Sequence, residues 1–232
     1  MKAGCLAIAA VTFFLGLAFP APAQMGMDIF KKPAIAKAFN PVVGKGAEYE
    51  TTSTGGSHGA KNRTMQMYIV GKESVDGKEG YWMEFVTSDD KNQSVVGKTL
   101  FTKEDFQFHR IIVQMAGQPA MEMPFNPNNA HQEKIQENLS EWHSVGTESI
   151  TVPAGTFACE HWHTDKDNSD AWTSDKVTPF GMVKEVGPHS TMILTKLLTD
   201  TQDRITGPVK PFDPQAFKDQ LMQQMQQHQQ KP

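Results

Sequence analysis

Cysteine is nearly absent from this chain. Of the two in 232 residues, Cys5 lies close to the N-terminus and Cys159 stands alone in the remainder. Once the N-terminal stretch is removed, no internal disulfide can form. A lone thiol in an oxidising compartment is expected to be buried or paired with another chain. Runs of lysine or arginine are also missing, and the net charge is only −4. Nothing in that balance suggests a nucleic-acid partner or an attraction to an anionic membrane surface, and no nucleic-acid partner is expected. The catalytic signatures are missing too. There is no Gly-x-Ser-x-Gly, no His-Glu-x-x-His and no glycine-rich phosphate loop opening a helix. The acid pairs Asp89-Asp90 and Glu104-Asp105 read as solvated turns at strand ends. The expectation is a protein that is not an enzyme.

The first residues, "MKAGCLAIAAVTFFLGLAFPAPAQ", carry a pattern of their own. Lys2 supplies a positive start, Leu6 to Phe19 an apolar run, and Ala21-Pro22-Ala23 a small-residue cleavage site. The run is short for a membrane span and is interrupted by Pro20. A signal peptide over 1–23 is expected, leaving a periplasmic or secreted protein with no transmembrane segment. Loss of Lys2 would take the net charge from −4 to −5.

Alternation of apolar and polar residues dominates the middle of the chain. Strands are expected at 48–54, 63–70, 80–88, 94–101, 106–117 and 119–125. A second set is expected at 144–153, 155–165, 169–175, 181–187 and 190–200. Gly/Asn/Ser/Asp clusters separate many of them, and Asp76-Gly77 is a hairpin signal. Such short connections favour antiparallel pairing, since parallel crossovers need a dozen or more residues. The expected fold is mainly β: a single curved antiparallel sheet, an open or half barrel, spanning 24–211.

Three stretches have helical patterning. Residues 28–40 carry Ile35 and Phe39 one turn apart. Residues 128–143 place Ile135, Leu139 and Trp142 on one stripe. Residues 212–230 start with Asp213 as a cap and Pro214 in the first turn, then run into a Gln-rich tail that makes 212–232 a C-terminal appendage. Two or three short helices are therefore expected over the concave face. The strands at 106–117 and 190–200 are apolar on both faces, so the second face also needs a cover. The 128–143 helix is the available candidate.

The run "FACEHWHTD" at 157–165 raises a metal question. Strict alternation would put Phe157, Cys159, His161 and His163 on one face. Residues four apart on a strand are about 13 Å apart, too far for Cys159 and His163 to share one ion held by bonds of about 2 Å. His161 and His163 could chelate copper or zinc if a third ligand arrived from elsewhere. Otherwise Phe157 and Cys159 sit deep and the histidines lie towards solvent. Methionine is abundant, with 13 in the chain. Met-x-Met pairs at 25/27, 65/67 and 121/123 suit monovalent copper, but better an adaptable apolar surface.

The stretches "ITVPAGTFACEHW" and "DAWTSDKVTPFGMVKE" carry a pattern of turns. Val152-Pro153-x-Gly155-Thr156-Phe157 starts one strand, Trp172-x-Ser174 marks the next, and Pro179-x-Gly181-x-Val183-Lys184 a third. This resembles exported bacterial proteins of uncharacterised families, and through them the superfamily of periplasmic lipoprotein carriers and lipid-binding half barrels. The resemblance implies a curved sheet whose concave apolar face binds a lipid or a lipidated peptide under a helical lid. Expected wall residues are Met65, Met67, Ile112, Ile193 and Leu197, faced by Ile135, Leu139 and Trp142. The alternatives are a copper or zinc binder using His161 and His163, and a structural or partner-binding envelope module using the C-terminal helix.

Overall fold

A computed structural model describes residues 38–54, 61–88, 94–105, 107–124 and 142–215. The strands expected from alternation form β1 (Gly46–Ser53), β2 (Lys61–Val75), β3 (Lys78–Ser88), β4 (Ser94–Thr102), β5 (Phe108–Met115) and β6 (Met121–Met123). They continue as β7 (Trp142–Val152), β8 (Gly155–Thr164), β9 (Ser169–Thr173), β10 (Met182–Val186) and β11 (Ser190–Leu198). A short β12 (Lys210–Pro211) is added near the C-terminus. The Asp76-Gly77 turn joins β2 to β3 with positive φ at both residues, 51° and 81°, as an Asp-Gly hairpin requires.

All twelve strands belong to one sheet in the order β12-β6-β5-β4-β3-β2-β1-β11-β10-β9-β8-β7. Every pairing is antiparallel except β12 with β6. The end strands do not pair with each other, so the sheet is open. It is two meanders, β1–β6 and β7–β11, sewn together where β1 pairs with β11. The β7–β8 end curls over, and the Ala154 amide donates to the Leu194 carbonyl of β11 (3.4 Å). Tyr49, fully buried on β1, likewise donates its hydroxyl to the Met182 carbonyl (3.2 Å).

Directly opposed residues share a face, and this assigns the inner surface. Ala47, Tyr49, Met65, Met67, Ile69, Met83, Phe85, Phe180, Met182 and Leu194 form its centre. Ile111, Val113 and Met123 continue it towards β6. Phe39, from the segment before β1, inserts among Tyr81, Phe101 and Phe180 with ring centroids 5.4–6.3 Å away. Gly181 makes room for that segment. Its φ is +71°, and a Cβ there would lie 2.4 Å from the Cβ of Ala38.

The expected helical cover is not supported among the described residues, and the outer face has a different cover. No helix covers the sheet among the described residues, and none there is long and apolar enough to cross a membrane. The segments 28–40, 128–143 and 212–230 lie almost wholly outside the described residues, Ile135 and Leu139 with them. Where 128–143 meets the described chain, Trp142 and His143 open β7 instead of ending a helix. The cover on the outer face of β2–β5 is a strap, residues 199–209, running from β11 to β12. Those strands are seven spacings apart in the sheet, about 34 Å, and twelve extended residue steps span about 40 Å. The strap lays Ile205 and Val209 over Tyr68, Val86, Val96 and Ile112.

Candidate functional site

The inner face is rich in one side chain. All eight methionines among the described residues are buried: Met65, Met67, Met83, Met115, Met121, Met123, Met182 and Met192. Register puts Met115 opposite Val95 and Met121 opposite Val113, on this same face. Thioether side chains are unbranched and polarizable, so such a wall can repack around guests of different shape.

The packing is not uniform along the face. At the Tyr81–Phe101 end, Phe39 plugs it. Further along β4, Gly97 lies between Phe85 of β3 and Val113 of β5. Gly97 is buried, yet among the described residues nothing lies within 4 Å of a Cβ built on it. With no side chain of its own, Gly97 leaves a gap in the described lining of the inner face. Thr99, the next inward-facing residue, stands between Met83 and Ile111. It is 6 % exposed, and among the described residues its hydroxyl has no hydrogen-bond partner. A buried hydroxyl left unpaired costs about 1–3 kcal/mol, which makes it a ready anchor for a polar atom of a guest. Gly97 and Thr99 were not singled out from the sequence. The signal available was a glycine inside an otherwise continuous strand pattern.

The expected wall residues separate. Met65 and Met67 line the inner face. Ile112 points outward beneath the strap, while its neighbours Ile111 and Val113 point in. Ile193 is half-buried opposite Glu50 and Lys184, and Leu197 is 42 % exposed. Met192 and Leu194 hold the buried positions of β11. Trp142 pairs with Thr164 at the start of β7, half-buried against the core.

The "FACEHWHTD" strand changes face in its middle. Phe157 and Cys159 are in the core, but so is Trp162, three residues beyond Cys159. An extra residue in β7 between Ser144 and Gly146 marks the irregularity. Cys159 is therefore separated from the histidines. Burial, with a smaller push from Glu148, raises its thiol to about 11. His161 stacks on Trp172 at 4.5 Å between ring centroids. Its Nδ1 lies 3.1 Å from Glu148 and its Nε2 2.8 Å from Asp170. His163 reaches the same Asp170 oxygen through Nδ1 at 3.0 Å. Burial pushes the Asp170 carboxyl up, but the two histidine hydrogen bonds outweigh it and the net shift is downward. Glu148 also accepts from the Trp172 indole at 2.6 Å. These imidazoles tie β7, β8 and β9 together through carboxylates. Among the described residues no group of three His, Cys, Asp or Glu side chains is arranged to hold a metal ion.

A cleft of about 280 Å³ opens beside β8, lined by Ala38, Thr147, Cys159, Glu160, Ser174 and Asp175. Its lining mixes small apolar side chains, Ala38, Ala158 and Cys159, with the carboxylates of Glu160 and Asp175.

No family model and no curated protein sequence matches this chain. Solved structures do. One is a presumptive lipoprotein from Parabacteroides distasonis, at 16% identity and TM-score 0.37, covering 69% of this chain and 97% of that one. A second, from Bacteroides fragilis, is a presumptive exported protein with a YmcC-like fold, at 12% identity and TM-score 0.36, covering 68% and 97%. A third is MucB in complex with MucA(peri), at 10% identity and TM-score 0.41, covering 79% and 59%. At TM-scores below 0.5 these likenesses carry no argument about what this chain does.

Proposed function

We propose that this chain is a periplasmic or secreted, non-enzymatic binding protein that holds an apolar ligand, a lipid or lipidated peptide, against the inner face of its open sheet. The observation that supports it is the gap that the described residues leave at Gly97, set in a methionine-rich surface beside a Thr99 hydroxyl that has no partner among those residues. The signal-peptide pattern expected at 1–23 supports export. Burying about 200 Å² of hydrocarbon there would contribute about 5 kcal/mol before ordering costs. The Thr99 hydroxyl would take the carbonyl or carboxyl oxygen of the ligand. A lipidated peptide would make another envelope protein the source of that ligand.

The test is native mass spectrometry of gently extracted protein, together with titration of a fluorescent fatty acid. Wild-type protein is expected to carry lipid mass or to bind the probe. Gly97→Leu, which fills the gap, is expected to lose the probe while keeping its fold by circular dichroism. Equal binding by both proteins, or none by wild type, overturns the proposal.

A further inference from the structure

Glu84 is the one charged side chain in the fully buried core among the described residues. It sits on the outward row of β3, between Tyr68 of β2 and Lys98 of β4. The Tyr68 hydroxyl donates to it at 2.8 Å. The strap closes over it from above. The Arg204 amide lies 3.1 and 3.2 Å from its two oxygens, and the Ile205 amide 3.4 Å from one. Asp203 of the strap hydrogen-bonds Glu84 directly and is held on its other side by Lys98. The Arg204 guanidinium turns away, to Gln66 at 2.8 Å and over the Tyr68 ring.

Two carboxyl groups can share a hydrogen bond only if one of them carries a proton. Lys98 favours the anion at Asp203, so the proton belongs to Glu84. If Glu84 loses it, two anions meet in a site where the Lys98 ammonium is already bound to Asp203. The strap's other anchors among the described residues are Thr201 to Gly44, the Arg204 guanidinium to Gln66, the packing of Ile205 and Val209 and, just past its end, Lys210 to Ala120.

We infer that residues 199–209 form a pH-gated latch: protonated Glu84 holds the strap down, and its ionisation favours lifting, which uncovers the apolar outer surface of Tyr68, Val86, Val96 and Ile112. Opening above the acid range releases one proton to water, and closing takes it back. The groups that face Glu84 and set this balance are Tyr68 and Gln66 from β2, Lys98 from β4, and Asp203 and Arg204 from the strap. The device lies on the face opposite the Gly97 gap and does not depend on what binds there.

Burial, then the Asp203 hydrogen bond, raise Glu84 from about 4.5 to about 7, outweighing the Tyr68 and Arg204 donors, which favour the anion. A carboxyl raised in the closed state opposes closure progressively between those two values, and the effect levels off above the upper one. From pH 5 to pH 8 the opening equilibrium therefore rises, on the order of tens of fold.

Hydrogen-exchange mass spectrometry of the strap at pH 5 and pH 8, corrected for intrinsic exchange, tests this, with β8 as an internal reference. Wild type is expected to show a rise of tens of fold in the strap and little change in β8. Glu84→Gln, which keeps an acceptor for the amides and offers an amide donor to Asp203, is expected to change less than threefold. A flat strap in wild type, a rise shared equally with β8, or the same rise in Glu84→Gln overturns the latch. If Glu84→Gln does not fold, Asp203→Asn decides. It removes the facing anion, so its pH response must shrink, and an undiminished response overturns the inference.

Discussion

Gly97→Ala is expected to make the protein more stable, and Gly46→Ala much less so. Both glycines are buried in strands without positive φ, so backbone propensity treats them alike. Replacing a strand glycine by alanine contributes about 0.5–1 kcal/mol through lost freedom of the unfolded chain. A buried methyl adds about 0.8 kcal/mol. At position 97 nothing described opposes either gain, so the sum is about 1–2 kcal/mol. For a domain of this size that is about 3–6 °C in Tm. At position 46 the new Cβ would lie 2.2 Å from the Met67 carbonyl oxygen and 2.3 Å from the Tyr68 Cβ. The β1–β2 pairing would have to part, at a cost of about 1–3 kcal/mol or more. Urea denaturation followed by tryptophan fluorescence, with m-values compared, measures both. A loss of 1 kcal/mol or more in Gly97→Ala would mean that the space above residue 97 is filled, and the proposed binding site would go with it.

Other expectations follow from the same packing. Phe39→Ala removes a half-buried ring held by three aromatic neighbours and is expected to cost about 2–3 kcal/mol in urea unfolding, with new binding of an apolar dye where the ring was. Asp170→Asn weakens the hydrogen bonds that both His161 and His163 make to one oxygen, and is expected to cost about 1–2 kcal/mol at pH 6 by the same measurement. Cys159, 2 % exposed and with its thiol raised to about 11, is expected not to react with a thiol reagent at pH 8 until urea unfolds the chain. Prompt labelling of the native protein would contradict its place in the core.

Alternation was enough to find β1–β11, because each strand has an inner face that excludes water and an outer face that mostly does not. Assigning the faces was harder, for reasons visible at particular residues. The irregular pairing at Glu48/Tyr49 shifts β11 against β1, so Met192 and Leu194 are deeply buried while Leu197 is exposed. The outer face of β5 is also covered, so Ile112 looked as much like core as Ile111. In β8 the change of face after Cys159 defeats any count by twos. The strap left no periodic signal, since its extended residues pair with no strand until Lys210. Glu84 could have been noticed as a carboxylate inside the apolar run "YWMEFV", but its partners come from 120 residues further on. Gly97 marked a gap in a strand, though whether a neighbour fills such a gap is a tertiary fact.

The seam between β1 and β11 has a consequence for how copies of this chain can go wrong. Each meander can assemble from local hairpins, but β1 must wait for a strand about 140 residues downstream before its second edge is satisfied. Until then it offers a bare ladder of amides and carbonyls to any matching strand. At high concentration the nearest match is the β11 of a neighbour, so exchanged halves, with the belt of one molecule fastened around the other, are the expected misassembly.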